Sequence, residues 1–323
     1  MKLRRRKLLH LGAGAAAAVG LPRFAWALDY PTRPIHLVVP FFAGGLADIL
    51  ARTIAEGLSK QLGQQIIVDD QPGAGGNLAT AMVVRALPDG YTLLEATSGN
   101  AWNAALYDNL SFDFIRDIAP VASISTTPAV MVVTPSFPAQ TVSEFMVYAK
   151  ANPGKINMAS AGVGSLPHVA GELFKFMTGI NLVHVPYRGS YLPDLLAGQV
   201  QVAFSTIPSV IEQIRAGKLR ALAVTGADPS PALPDIPTLG QFVPGYEASA
   251  FNGVVAPKQT PIDIIYKFNA AVNTALAAPE VRERFAQLGT FPVSMTPGEF
   301  GKFVANETEK WGKVFKSAGI KAE

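Results

Sequence analysis

The sequence predicts an α/β protein of two lobes, each a mainly parallel sheet flanked by helices, hinged together as a clamshell. Three observations carry this reading. Short apolar runs of strand length alternate with segments of helical period along most of the chain. The alternation falls into two blocks of similar plan, joined by a stretch near Ser123 to Thr127. Hydrophobic residues make up 49% of the chain and charged ones only 16%, as expected where strands are buried on both faces.

The first block opens with the apolar run Ile35 to Val39, closed by Pro40. Gly44-Gly45 follows, and then a helical face of Leu46, Ile49, Leu50, Ile54 and Leu58. Ile66 to Val68 is the next strand. A glycine loop, Gly73 to Gly76, leads into a helix with Leu78, Met82 and Val83, and Tyr91 to Leu94 is a third strand. This βαβαβ order demands parallel pairing with right-handed crossovers.

The second block repeats the plan. Val130 to Val133 is a strand, and Thr141 caps a helix with Glu144 as its capping-box partner. Ile156 to Ala159 is a strand, Gly162 to Ser165 a loop, and Val169 to Met177 a helix. Strands follow at Leu182–Val185, Val200–Phe204 and Leu219–Val224, with a short helix at Asp194–Leu196. A proline-rich stretch, Pro229 to Pro244, precedes a strand at Gly253–Ala256 that returns the chain to the first lobe. Helices at Pro261–Ala277, Pro279–Leu288 and Pro297–Ala318 complete it. The expected division is residues 28–127 plus 253–323 for lobe 1 and 128–252 for lobe 2.

Residues 1–27 read as a cleavable export signal. Lys2, Arg4, Arg5, Arg6 and Lys7 precede an apolar stretch from Leu8 to Leu21, and Ala25-Trp26-Ala27 offers small residues around a cleavage point. The apolar stretch is short of the ~20 residues that span a bilayer. The arginine run fits a twin-arginine signal, and Sec export is compatible with it as well. This leader holds six basic residues and no acid, so the formal +3 of the whole chain becomes −3 on its removal. The basic charge therefore gives no support for nucleic-acid binding. The chain has no cysteine, which excludes disulfides, thiolate metal sites and a lipid-modified cysteine after the signal. A soluble periplasmic product is expected.

Three strand-to-helix junctions are glycine-rich: Gly44-Gly45, Gly73 to Gly76 and Gly162 to Ser165. Helix starts expose unpaired N–H groups and a partial positive charge, and glycine lets a ligand come close to the backbone. In an open α/β sheet such junctions lie at the carboxyl ends of the strands, where ligands bind. Together they favour a carboxylate held by main-chain donors. Nucleotide motifs are missing: there is no G-x-G-x-x-G, and no Gly-Lys pair is followed by Ser or Thr. Outside the leader the three dispersed histidines, His36, His168 and His184, make a poor metal site. No metal and no cofactor is expected. His168, on the first turn of its helix, would stay neutral and suit a ligand hydrogen bond. Ser98 and Asn100 follow the third strand. Tyr187, Arg188, Gly189 and Ser190 follow another, offering a ring to stack, a guanidinium to pair with a carboxylate and a helix-capping hydroxyl.

In order, these segments resemble the periplasmic receptors of tripartite tricarboxylate transporters, the Bug family. The resemblance is carried by Val39-Pro40-Phe41 through Gly44-Gly45 to Asp48, by Gln71 to Asn77, and by Pro88 to Leu93. It continues through Ala161 to Ser165 with His168, Val185 to Gly189, Asp194 to Val200, Gly217 to Val224, Leu233 to Thr238 and Gly253 to Pro261. It implies a two-lobed periplasmic binding protein, a type II-like clamshell, that closes on a small carboxylate and hands it to inner-membrane permease subunits, working as a monomer. It implies that the Phe41–Asp48 and Ser160–His168 loops hold the proximal carboxylate, partly through water. Phe42, Gly44, Gly45, Asp48, Ser160, Gly164, Ser165 and His168 would then surround one end of the ligand, and Ser98, Tyr187 to Ser190 and Ser205 the other. Phe42 departs from the family in its bulk. Ser205 stands where relatives place an acid, which removes a partner for an ammonium group. A sensor that presents its bound ligand to a sensor kinase is an alternative use of the same fold. A hydrolase built on Ser165 and His168 is a third.

Overall fold

The computed structural model describes residues 30–107, 109–187 and 190–321. The expected leader at 1–27, and Arg188 and Gly189, lie outside the described residues.

The first block folds as read. β1 (Ile35–Val39) pairs in parallel with both β2 (Ile66–Asp70) and β3 (Thr92–Thr97). Between β1 and β2 runs α1 (Leu46–Leu62), whose Leu50, Ile54 and Leu58 are fully buried on the sheet. α1 stops at Gly63, which takes the left-handed conformation (φ 71°) that glycine adopts without strain and returns its N–H to Ser59. A 3-10 turn at Ala74–Gly76 opens α2 (Asn77–Val84).

After β3 the chain departs from expectation. Ser98 to Asn100, expected to face the ligand, form the first turn of α3 (Ser98–Leu106), held by a capping box in which the Asn100 side chain accepts the Thr97 N–H at 2.7 Å. A short α4 (Phe114–Asp117) leads into β4 (Ile118–Val133), one strand of 16 residues. The stretch near Ser123 to Thr127, expected to be a joining segment, is the middle of this strand.

β4 ties the molecule together. Its first part pairs antiparallel with β9 (Ser249–Pro257), and residues 129–133 lie between β7 (Val202–Thr206) and β8 (Arg220–Val224). β5 (Asn157–Ser160) pairs in parallel with β6 (Val183–Pro186) and β7. The described residues thus form one ten-stranded mixed sheet, in the order β2-β1-β3-β9-β4-β7-β5-β6. β8 and β10 (Phe291–Pro292) are also paired to β4. Each half keeps a parallel trio, β2-β1-β3 and β6-β5-β7, and the antiparallel strands lie between them.

α5 (Val142–Ala151), α6 (Leu166–Thr178), α7 (Leu192–Leu196) and α8 (Ile207–Arg215) serve the second half, and α9 (Ile262–Ala277) and α10 (Pro279–Gln287) pack on the first. α11 (Pro297–Ala318) lies across α3, β4 and α6, so it touches both halves. Its Trp311 is fully buried, 5.3 Å between ring centres from Trp102 of α3. Gly253 of β9 permits the closest packing there: a Cβ on it would lie 2.2 Å from the Phe300 ring and 2.7 Å from the Ala122 carbonyl oxygen. Among the described residues no helix is long and apolar enough to cross a membrane.

Candidate functional site

A cavity of about 580 Å³ opens between the two halves at the carboxyl ends of the parallel strands. Four helix starts reach it: Phe41 before α1, Gly75 before α2, Gly99 at the first turn of α3, and Gly162 to Ser165 before α6. Asn103, Leu106 and Tyr107 from the far end of α3, with Val163, Pro186 and Tyr187, complete the wall. A Cβ on Gly164 would touch Leu106 Cδ1 at 3.4 Å, so the α3 end faces the α6 loop across the opening.

The loops before α1 and α6 share one local plan. Val163-Gly164-Ser165-Leu166-Pro167-His168 matches Ala43-Gly44-Gly45-Leu46-Ala47-Asp48 position by position. Gly44 and Gly164 both take positive φ, 80° and 78°. Gly45 caps α1 and Ser165 caps α6. In each loop the glycine N–H turns inward to a side chain four residues on: Gly44 donates to Asp48 Oδ2 at 2.7 Å, and Gly164 to His168 Nδ1 at 3.1 Å. The helix side chain therefore fixes the loop from beneath. The Gly45 N–H returns to the Phe42 carbonyl, the Gly162 N–H to Ser160 Oγ, the Ser165 N–H to the Gly162 carbonyl and the His168 N–H to Ser165 Oγ, and Pro167 has none, so the unpaired main-chain donors are those of Leu46, Ala47 and Asp48 at α1 and of Val163 and Leu166 at α6.

Different groups back the two loops. Under α6, His168 is buried and stacks on His184 with ring centres 4.0 Å apart. His184 Nε2 lies 2.6 Å from Ser160 Oγ. His168 Nδ1 accepts a hydrogen bond, so its proton sits on Nε2, 3.9 Å from Glu172 Oε1. Burial, then the neighbouring His184 and Lys175, hold the His168 pKa down at about 3. Burial and Lys175 hold that of His184 down at about 4. Both rings are neutral at neutral pH. Under α1, Arg52 pairs with Asp48 at 2.5 Å and with Asp70 at 2.8 Å. Glu95 of β3 is fully buried beside them, with neither carboxylate oxygen hydrogen-bonded. Burial, reinforced by Asp48 and Asp70, pushes its pKa well above the usual carboxylate range and favours the neutral acid.

The structure distributes the expected site residues into two sets. Gly164, Ser165 and Tyr187 line the cavity. Gly44, Gly45, Asp48, Ser160 and His168 lie in or under the two loops, as framework. Ser98 and Asn100 are buried: Ser98 Oγ accepts the Phe251 N–H at 2.6 Å, and Asn100 caps α3. Ser205 is buried and accepts from the Tyr191 hydroxyl at 2.8 Å. Phe42 is 77% exposed, and its neighbour Phe41 lines the cavity instead. Ser190 is exposed and accepts the Leu192 N–H. Ser165 and His168 form no nucleophile–base pair, because Ser165 Oγ donates to the Gly162 carbonyl at 2.7 Å and His168 Nδ1 is taken by Gly164. The hydrolase reading therefore fails on geometry. Asn103, Leu106 and Tyr107 were not anticipated. The spacing of Leu106 and Tyr107 three and four residues after Asn103 was the available signal.

A cleft between two sheet halves, ringed by helix starts, defines a ligand-binding receptor. Residues 50–320 match the tripartite tricarboxylate transporter family receptor, and the chain belongs to that family. Its members are substrate-binding receptors rather than enzymes. The chain is 36% identical to protein BugT of Bordetella pertussis over 96% of its own length and 94% of the other's. The solved structure of R. palustris Rpa4515 with adipate is 36% identical, with a TM-score of 0.74 over 91% of this chain and 99% of that one. MatC of Rhodopseudomonas palustris with bound malate is 32% identical, with a TM-score of 0.71 over 88% of this chain and 99% of the other.

Proposed function

We propose that the chain captures a small mono- or dicarboxylate in the cleft between its halves and delivers it to a tripartite tricarboxylate-type permease of the inner membrane. The observation that carries this is the pair of matched loops before α1 and α6. Each is fixed from beneath by its own helix and leaves main-chain donors at a helix start for an anion. The adipate and malate held by the two solved relatives support the carboxylate reading.

In this reading residues 1–27 are an export leader removed after Ala27, and the mature protein is a periplasmic monomer. Lobe 1 is 28–127 with 253–323 and lobe 2 is 128–252. The lobes hinge on β4 and β9, the strands that pass between them, and close over the ligand. A thermal-shift screen of carboxylates tests the proposal. A ligand at 100 times its Kd stabilises the fold by ~2.7 kcal/mol. A shift with sugars or metals, and none with any carboxylate, overturns it.

A further inference from the structure

We propose that the cleft is built for a carboxylate with a flat aromatic body, and that Tyr107 is the residue that selects it. The inference rests on the carboxylate reading above and narrows it.

Three aromatic rings from three separate elements line the cavity: Phe41 from the turn after β1, Tyr107 from the end of α3, and Tyr187 from the turn after β6. Leu106 and Val163 extend the apolar surface between them. Two of the rings have evident supports. The Tyr187 hydroxyl donates to Asp194 Oδ2 at 2.7 Å, and its ring stands edge-on to Tyr191 at 6.1 Å. The Phe41 ring lies beside Gly99, where an added Cβ would meet Cζ at 3.9 Å. The third owes its place to a missing side chain. A Cβ on Gly75 would come within 2.9 Å of the Tyr107 hydroxyl oxygen, so a glycine at that position makes room for the phenol. Gly75 is further held by Asn103, whose Nδ2 donates to its carbonyl at 2.9 Å.

The α3 end that carries Leu106 and Tyr107 faces the Gly162–Ser165 loop across the opening. A carboxylate at that loop therefore projects its body toward Leu106 and Tyr107, with Phe41 and Tyr187 on the remaining walls. A ring in that position gains edge-to-face or offset contacts with its aromatic neighbours, whose quadrupoles reward another ring beyond the area buried. A saturated ring of the same size gains only the area. An extended aliphatic diacid instead carries a second charge onto apolar walls, at a desolvation cost.

The test is titration calorimetry of the full chain with benzoate, cyclohexanecarboxylate and adipate. Benzoate is expected to bind about two- to tenfold more tightly than cyclohexanecarboxylate, the range that aromatic pair contacts supply. Tyr107→Phe keeps that ratio, and Tyr107→Leu brings it toward one. Thermal melts check that each variant folds. Phe41→Leu, at a partly exposed position, serves as the second variant and also lowers the ratio. Adipate or cyclohexanecarboxylate binding as tightly as benzoate, or a ratio unmoved by both leucine variants, overturns the aromatic assignment and leaves the carboxylate reading standing. No binding of any of the three acids overturns the aromatic assignment, and the carboxylate reading falls with it only if the wider carboxylate screen is also negative.

Discussion

Replacing His168 with Phe tests whether the ring under the α6 loop is a buried neutral base. In the folded chain its pKa is held down at about 3. In the unfolded chain it returns to about 6.5. The unfolded state therefore takes up a proton first as pH falls. The stability that His168 contributes is complete above pH 6.5 and is lost progressively toward pH 3. At pH 5 the loss covers about 1.5 pH units, or about 2 kcal/mol at 1.36 kcal/mol per unit. Phe preserves a ring against His184 and removes the titration. It also removes the acceptor for the Gly164 N–H, a cost of about 1–3 kcal/mol that is the same at every pH. Other titrating groups, including His184 and Glu95, remain in both proteins, so the difference between the two pH profiles isolates His168. Urea denaturation at pH 7, 6 and 5 reads it through midpoint and slope. The wild type is expected to lose about 2 kcal/mol more than His168→Phe between pH 7 and 5. Parallel profiles, within about 0.5 kcal/mol, would mean that His168 titrates normally in the fold and that the buried pairing is wrong.

Glu95→Gln has the opposite sign. A carboxyl whose folded pKa is raised contributes stability that is complete below its unfolded pKa of about 4.3 and lost as pH rises. The glutamine variant is therefore expected to melt higher than wild type at pH 8, by a margin that shrinks toward pH 5; a constant or reversed margin refutes it. Gly164→Val forces a branched side chain to φ 78°, at about 1–2 kcal/mol, and sets its Cβ against Leu106. Carboxylate affinity should fall at least about tenfold by calorimetry, which is the equivalent of 1.4 kcal/mol. Unchanged affinity removes this loop from the site. Gly253→Ala drives a methyl into the Phe300 ring and the Ala122 carbonyl, so a chemical-denaturation loss of about 1–3 kcal/mol is expected, and none if the β4–β9–α11 junction is loose.

The parallel trios were legible because their signals are local. Val-, Ile- and Leu-rich runs bounded by glycine name a buried strand whatever its partners. β4 was not legible. Pro120, Ser123, Ser125, Thr126, Thr127 and Pro128 dilute its pattern, and it is a strand because β9 supplies a partner along most of that length. Two of its buried hydroxyls are satisfied at long range, Thr127 by Thr290 at 2.9 Å and Ser125 by Asn252 at 3.4 Å, while Ser123 Oγ has no hydrogen-bond partner. α3 was hidden for a related reason. Ser98-Gly99-Asn100 carries loop chemistry, and the cap that makes it a helix start uses Asn100 in place of the usual acid. The loops of the site were read correctly as loops. Which side chains turn outward was not, because Asp48 and His168 look like ligand groups until the i+4 bond to a glycine N–H turns them inward.

That inward bond also breaks the symmetry of the cleft. The two loops have the same backbone plan, but one is held by an anion and the other by a neutral ring. Asp48 sets a negative charge under the α1 start, which offsets part of the helix's positive end. Arg52 returns some of that charge, and Glu95, being neutral, adds none. Under α6 the acceptor is an uncharged imidazole, and the Lys175–Glu172 pair lies further along the helix. The α6 start therefore keeps more of its positive potential than the α1 start. For the carboxylate proposed above, the stronger field then lies at the Gly162–Ser165 loop rather than at the α1 loop. That difference in field traces to two residues at corresponding positions, Asp48 against His168.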